Sequence, residues 1–370
     1  MTESTARLRV GVIGTGVIAQ VMHLHFLREL SDRFEVVALC DLSKETASAC
    51  AAEYGVAGVH TDWRELIKDP IDAVLVVTSG SHAPIAIAAA RAGRHVFVEK
   101  PMCYSTREGV EMVAAAREAG VVLMVGYPKR YDAAYARFVE EVSRLHVRKL
   151  LRVTTVESPF LPYLRHYPIT APPSDVEADV LAALAVDSDR RLRDAIGTAD
   201  PFLLRQYQAV LLDTLVHEIN TVRGVLGEPS SLDYVQLREG HATVLLGFDG
   251  LTAAIHWLDT PEMTRYAMEF SMHAADGRVT LTFPSPYLRN APASLTVERG
   301  EPDGVASWRR DAVTSYESGF KGELRAFYEA ARFGRSVATD GADGLRDIAL
   351  CQAIIRCAIE RAPVANPTEV

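Results

Sequence analysis

An apolar run, Val10-Gly11-Val12-Ile13, leads straight into Gly14-Thr15-Gly16-Val17-Ile18-Ala19, and a helical stretch, the second apolar run Val36-Val37-Ala38-Leu39-Cys40 and then Asp41 follow. A lone G-x-G-x-x-A constrains little. The order strand, glycine turn, helix, strand, acid, with the acid about 20 residues on, is that of a βαβ dinucleotide site. Gly14 permits the tight turn, Gly16 lets the backbone approach a pyrophosphate, and Ala19 lets the helix pack near the sheet. Amides at the helix start and the aligned peptide dipoles favour the phosphates there, with Val17 and Ile18 on the same cofactor-binding loop. A carboxylate at Asp41 accepts from adenosine ribose hydroxyls and repels a 2′-phosphate, so NAD is the expected cofactor. NADP stays possible, because Lys44 is near enough in sequence to blunt that repulsion. An ordinary tight turn and a solvated strand-end acid are the plain alternatives.

At 370 residues the chain exceeds the usual size of a single core, which predicts two domains. Its 48% hydrophobic and 24% charged residues match an ordinary globular protein, and a net charge of −9 argues against a nucleic-acid partner. Met1-Thr2-Glu3-Ser4-Thr5-Ala6-Arg7 lacks a secretory apolar core, and no later run is long and charge-free enough to span a bilayer. The expectation is a cytoplasmic protein with no membrane partner. The five cysteines are scattered, which suggests neither a disulfide framework nor a zinc cluster. His217-Glu218-Ile219-Asn220-Thr221 lacks the second histidine of a zinc-protease helix, and His23 and His25 would point to different sides of a helix. No metal is expected.

After Asp41 the pattern predicts helices over 44–54, 62–68, 85–92 and 106–119, with buried strands over 73–77, 95–98 and 121–125. Such alternation indicates an α/β Rossmann domain with a doubly wound parallel sheet, assigned to residues 1–126. From Leu150 the period becomes two, over 151–157, 231–238, 242–248, 252–258, 267–273, 278–283 and 294–298, with turns such as Asp249-Gly250 and Asp276-Gly277. These predict an α+β C-terminal domain, residues 127–370, built on a large, open, predominantly antiparallel sheet. Its closing helices, 319–332 and 342–361, can pack back on the first domain. An open sheet leaves a face to cover, and Thr252 to Leu258 carries apolar residues on both sides, so a homodimer or homotetramer is expected. The segment Pro159 to Pro201, proline-rich and then charged, reads as a long connection that borders the substrate pocket, or else as a surface excursion or oligomer contact.

Two constellations carry chemistry. Glu99-Lys100-Pro101 ends the strand over 95–98, where open α/β sheets place their ligand crevice. A lysine there can polarise a substrate hydroxyl or carbonyl, and Pro101 biases Lys100 toward an extended backbone. A solvated acid-lysine pair is the alternative. In a helix predicted over 208–227, Asp213, His217, Asn220 and Gly224 follow at spacings of four, three and four and share a face. His217 titrates near working pH and can exchange a proton with an alcohol, while Asp213 can orient the ring or hold a substrate hydroxyl. A solvent-facing polar stripe is the bland counterpart.

The order G-T-G-V-I-A, Asp41, Glu99-Lys100-Pro101, Val125-Gly126-Tyr127-Pro128-Lys129-Arg130-Tyr131 and Asp213-Thr214-Leu215-Val216-His217 closely resembles the glucose-fructose oxidoreductase, inositol dehydrogenase and MocA (Gfo/Idh/MocA) family. The likeness is firm up to about Arg130 and at the level of motifs beyond it. It implies that Lys100, Asp213 and His217 line the site beside a nicotinamide. Thr78, Ser79 and His82 then belong to the loop along the dinucleotide, where Ser79 replaces a proline common in the family, and Glu99 joins Lys100 on the cofactor side. Tyr127, Arg130 and Tyr163 are further pocket candidates. The implied activity is hydride transfer between NAD(P) and a secondary alcohol or ketone of a sugar, sugar derivative or cyclitol. Two alternatives stay open: a retained NAD used for transient oxidation before elimination or bond cleavage, and a non-catalytic dinucleotide sensor.

Overall fold

The computed structural model describes residues 6–360 apart from 171, 172 and 302, so the start Met1 to Thr5 and the predicted helix end at Arg361 lie outside the described residues. Six parallel strands form the first sheet: β1 Leu8–Ile13, β2 Phe34–Cys40, β3 Gly58–His60, β4 Ala73–Val76, β5 His95–Glu99 and β6 Leu123–Gly126. Their order, β3-β2-β1-β4-β5-β6, reverses direction between β1 and β4, the switch point where such sheets bind dinucleotides. Every residue of β4 and β6 is buried, because helices cover both faces. The short strand β3 lacks an apolar run and is invisible to patterning.

The second sheet has eight strands: β7 Arg148–Glu157, β8 Ser231–Arg238, β9 His241–Phe248, β10 Leu251–Asp259, β11 Ala267–Ala274, β12 Gly277–Phe283, β13 Ser294–Gly300 and β14 Ser307–Val313. Their order is β14-β13-β12-β11-β7-β10-β9-β8. Two antiparallel runs flank β7, and one of them meets it in parallel, β10 beside β7, so the sheet is mixed at that pair. Patterning predicted seven of these strands and missed β14, whose exposed Trp308-Arg309-Arg310-Asp311 has no inward-facing apolar series. Along β10, Ala253, Ile255 and Trp257 are buried on the helix side, while Thr252, Ala254, His256 and Leu258 face the open side. That open face carries polar pairs, Arg152 with Glu269 at 2.6 Å and Thr243 with His256 at 3.0 Å, besides its apolar atoms.

The C-terminal helices return to the first sheet. Phe320, Leu324, Phe327 and Tyr328 of the helix Gly319–Phe333 share a core with Leu8, Val10, Phe97 and Met124. Thr339 accepts from Val125 N at 2.8 Å just before the helix Gly341–Glu360. The segment between Pro159 and Pro201, read from sequence as a long connection, holds the 19-residue helix Ala178–Ile196. That helix buries only Leu192 and Ile196, so it gives little hydrophobic signal. Pairs at helical spacing hold it instead, Arg191 with Asp187 and Arg193 with Asp189.

Candidate active site

Gly14 has φ +99°, and a Cβ there would lie 2.8 Å from the Val77 carbonyl and Thr78 N, so only glycine makes this turn. At Gly16 a Cβ would meet no protein atom within 4 Å, which leaves the approach open on the ligand side. The helix beyond begins with a π-helical turn, Ala19–His23, and continues as Leu24–Glu29. Asp41 Oδ2 accepts from Thr15 N at 2.7 Å and Thr15 Oγ1 at 2.9 Å, and its Oδ1 accepts from Ser43 N at 3.0 Å. The strand-end acid thus pins the glycine loop while staying half-buried beside it. An open phosphate approach with an acid at the ribose position fits a nicotinamide dinucleotide, with Gly14 to Ile18, Asp41 and the loop at Thr78 and Ser79 as the residues that would hold it.

Two sequence candidates on this side point elsewhere. His82 is buried, with Nε2 2.8 Å from Thr78 O and Nδ1 2.8 Å from Pro101 O, so its ring ties the β4 loop to the cis Lys100-Pro101 peptide rather than facing a cofactor. Glu99 is also buried, 2.6 Å from His23 Nε2 and accepting from Lys100 N at 3.1 Å. Both therefore position Lys100. A strand-end acid beside a lysine gave no sign of this inward turn, since its partner His23 comes from another element.

Lys100 Nζ donates to Asp213 Oδ1 at 2.7 Å and to Asp213 O at 2.8 Å, joining the two constellations across the crevice. Burial pulls the Lys100 ammonium down, but Asp213 and Glu99 outweigh it and hold its pKa above the ordinary value. Asp213 therefore serves Lys100, where the sequence reading gave it the choice of orienting His217 or holding a substrate hydroxyl. The polypeptide over Gln206–Leu215 is π-helical and becomes α-helical only at Val216–Leu226, so Asp213 and His217 straddle a change in pitch. His217 stands edge-on to Tyr127, with ring centroids 6.0 Å apart, and its Nδ1 is buried without a partner among the described residues. Burial first, then the charges of Lys129 and Lys100, push its pKa well below the ordinary value. The imidazole is neutral at working pH and can accept a proton.

The Tyr127 to Tyr131 motif divides its labour. Tyr127 is buried behind His217, and Arg130 points away from the pocket, with Nη1 3.1 Å from Asn220 O and 3.8 Å from Asp343. Lys129, not singled out in the sequence, faces the reactive groups: burial lowers its pKa to about 8, and Glu218, Lys100, Glu157 and Glu323 are the charges that act on it. Pro128–Tyr131 is a tight 3-10 turn, so neighbouring side chains fan out in different directions. Tyr163 OH donates to Thr264 O at 3.1 Å and accepts from Tyr266 N at 2.9 Å, which places it on the wall formed by the β10–β11 loop. Tyr287, whose surroundings include the charges of Lys100 and Asp213, is a further wall residue that sequence alone did not mark.

Behind Lys100, ligating atoms of His23, Glu99 and Glu323 lie within 4.8 Å of one another, all buried. Both Glu323 carboxyl oxygens are without partners among the described residues. Burial, reinforced by Glu99, drives the Glu323 pKa well above 4.5, which makes it neutral in the folded protein. Between the unfolded and folded values the native state binds the extra proton, so this group makes stability fall as pH rises. Glu323→Gln, neutral at every pH, is expected to flatten the decline of melting temperature as pH rises above the ordinary carboxylate range. An unchanged pH slope in thermal unfolding would refute the assignment.

The family model described as "Oxidoreductase family, NAD-binding Rossmann fold" matches residues 8–127. Over those residues the chain matches the Gfo/Idh/MocA family. It is 26% identical to 1,5-anhydro-D-fructose reductase of Ensifer adhaerens over 95% of this chain and 96% of that protein. It is 25% identical to myo-inositol 2-dehydrogenase of Thermotoga maritima, covering 91% and 92%. Among solved structures, KijD10, a 3-ketoreductase from Actinomadura kijaniata crystallised with NADP and TDP-benzene, superposes with a TM-score of 0.71 at 21% identity, covering 94% of this chain and 97% of that one. The chain therefore shares the fold of KijD10 over nearly its whole length. No helix among the described residues is long and apolar enough to cross a membrane.

Proposed function

We propose that this chain is an NAD(P)-dependent oxidoreductase of a secondary alcohol or ketone on a sugar, sugar derivative or cyclitol, with NAD as the preferred dinucleotide. The observation that carries the reading is the Lys100 ammonium, held charged by Asp213, across the crevice from the neutral imidazole of His217. When bound, the nicotinamide supplies the hydride acceptor or donor. In the oxidative direction His217 takes the hydroxyl proton and Lys100 stabilises the negative charge developing on that oxygen. In reduction Lys100 polarises the carbonyl, and His217, having first taken a proton from solvent, delivers it to the forming alkoxide. The acids and amine around them, half-buried Glu157, buried Lys129 and exposed Asp213, suit a ligand rich in hydroxyls. The names of the two full-length relatives, a reductase of an anhydrosugar and a dehydrogenase of a cyclitol, point to the same class.

A panel of sugars, sugar derivatives and cyclitols, tested with the purified chain while nicotinamide absorbance is followed in both directions, decides the activity. Turnover without net change in absorbance would instead favour a retained cofactor and a non-redox outcome. NAD preference follows from Asp41, whose charge opposes a 2′-phosphate. Asp41→Ala is expected to narrow the gap between NADH and NADPH affinities, and also to weaken NADH itself, because Thr15 and Ser43 lose their anchor. Equilibrium titration of both dinucleotides measures this, and tighter NADPH than NADH binding by the wild type would contradict it.

A further inference from the structure

Beyond β7 the chain leaves the substrate side and crosses the cofactor side. Tyr167 OH still donates to Tyr287 O at 2.6 Å, whereas Thr170 N donates to Gln20 Oε1 at 2.9 Å. Gln20 Nε2 in turn donates to Thr15 O on the glycine loop at 2.7 Å. Asp175 then settles at the start of the 11-residue helix Lys44–Tyr54. Its Oδ1 accepts from Ser43 Oγ at 2.6 Å and its Oδ2 from Glu45 N at 2.9 Å. From there the helix Ala178–Ile196 carries the chain to the far side of the parallel sheet, where Ser188 Oγ meets Tyr104 OH at 2.8 Å and Arg191 pairs with Glu108 at 2.9 Å.

The place where Asp175 docks has a chemical meaning. In a βαβ dinucleotide site the acid ending the second strand marks the adenosine ribose. The residues just after it, at the next helix start, offer the hydroxyl and amide donors that an added 2′-phosphate needs. In this chain those donors are Ser43 Oγ and Glu45 N, and both hold a carboxylate.

We propose that Asp175 is a specificity-determining residue: a built-in anion that occupies the donors a 2′-phosphate requires, so that NAD is accepted and NADP excluded. The proposal rests on the nicotinamide-dinucleotide reading above and adds a determinant from the second half of the chain. Asp41 repels at the ribose, while Asp175 takes the phosphate's hydrogen bonds and adds a second negative charge. Salt screens the charge effect, but occupation of the donors persists at high ionic strength.

The test is equilibrium titration of the full chain with NADH and with NADPH, followed by nicotinamide fluorescence. Asp175→Ala is expected to tighten NADPH binding by about tenfold, roughly 1.4 kcal/mol, while NADH stays within about twofold. Asp175→Asn, which keeps the shape and loses the charge, should move the same way by less. Ser43→Ala added to Asp175→Ala should cancel the gain, because the hydroxyl is the donor released. Unchanged NADPH affinity in Asp175→Ala, or parallel changes for both dinucleotides, would overturn the proposal and leave Asp175 as a structural tether. A wild type that binds neither dinucleotide would overturn the functional reading itself, an outcome distinct from the other two.

Discussion

Lys100→Ala and His217→Ala are each expected to lower kcat at least about a hundredfold while dinucleotide affinity barely moves, the scale for losing a positioned charge or an acid-base group. The two losses differ in character. Removing the Lys100 ammonium leaves Asp213, whose side chain is 63% exposed, free to be solvated, so folding stability should change little and the loss belongs to chemistry. Removing His217 takes away the proton acceptor. Because burial and the neighbouring lysines depress the His217 pKa, the wild-type enzyme should keep its oxidative rate down through the ordinary histidine range and lose it only at more acidic pH. Steady-state kinetics with the best substrate, together with a pH profile of kcat/KM, checks both. Near wild-type turnover in either variant would remove that residue from the mechanism.

The largest stability effect is expected at Arg223, three residues beyond Asn220 on the helix that carries His217. Its side chain is 2% exposed and lies among three carboxylates: Nη2 is 2.7 Å from Glu228 Oε1 and 3.1 Å from Asp343 Oδ1, and Nη1 pairs with Asp347. Asp343 and Asp347 stand on the C-terminal helix Gly341–Glu360, so the guanidinium locks the substrate-side helix to the helix that returns to the first domain. Burial raises the Asp347 pKa to about 7, and Arg223 opposes that rise. Arg223→Leu would leave acids buried without their cation, which costs on the order of 3–5 kcal/mol. Urea unfolding measures it. Adding Asp347→Asn should restore part of the loss, since the uncompensated charge is then gone, and a single variant as stable as wild type would show that the cluster contributes little.

The same cluster corrects the sequence picture of the polar stripe. Asp213, His217, Asn220 and Gly224 do repeat at helical spacing, but they meet four different environments: an exposed ion pair with Lys100, a half-buried ring beside Tyr127, hydrogen bonds to Asp343 and Asp347, and close packing against Arg130 and Tyr135. Periodicity tells which residues share a face. It does not tell what that face touches.

Local physics was enough for much of this protein. The tight turn at Gly14, the fully buried parallel strands and the period-two strands of the second sheet follow from short-range sterics and from which residues water rejects, so they can be read along the chain. The glycine loop, Asp41, Lys100 and His217 could be singled out as candidates because they fall at strand and helix ends that the pattern already marks. Tertiary structure alone decided the rest, where a residue's role depends on a partner far away in sequence. Glu99 turned inward because His23 waits behind it, Lys129 rather than Arg130 faces the pocket because a 3-10 turn splits their directions, and the helix Ala178–Ile196 hid behind a charged composition because its support is ion pairs and long-range docking. Asp175 lies 132 residues from the Ser43 hydroxyl it holds, a separation at which sequence spacing says nothing about contact, since only the folded path of the chain brings the two ends of that bond together.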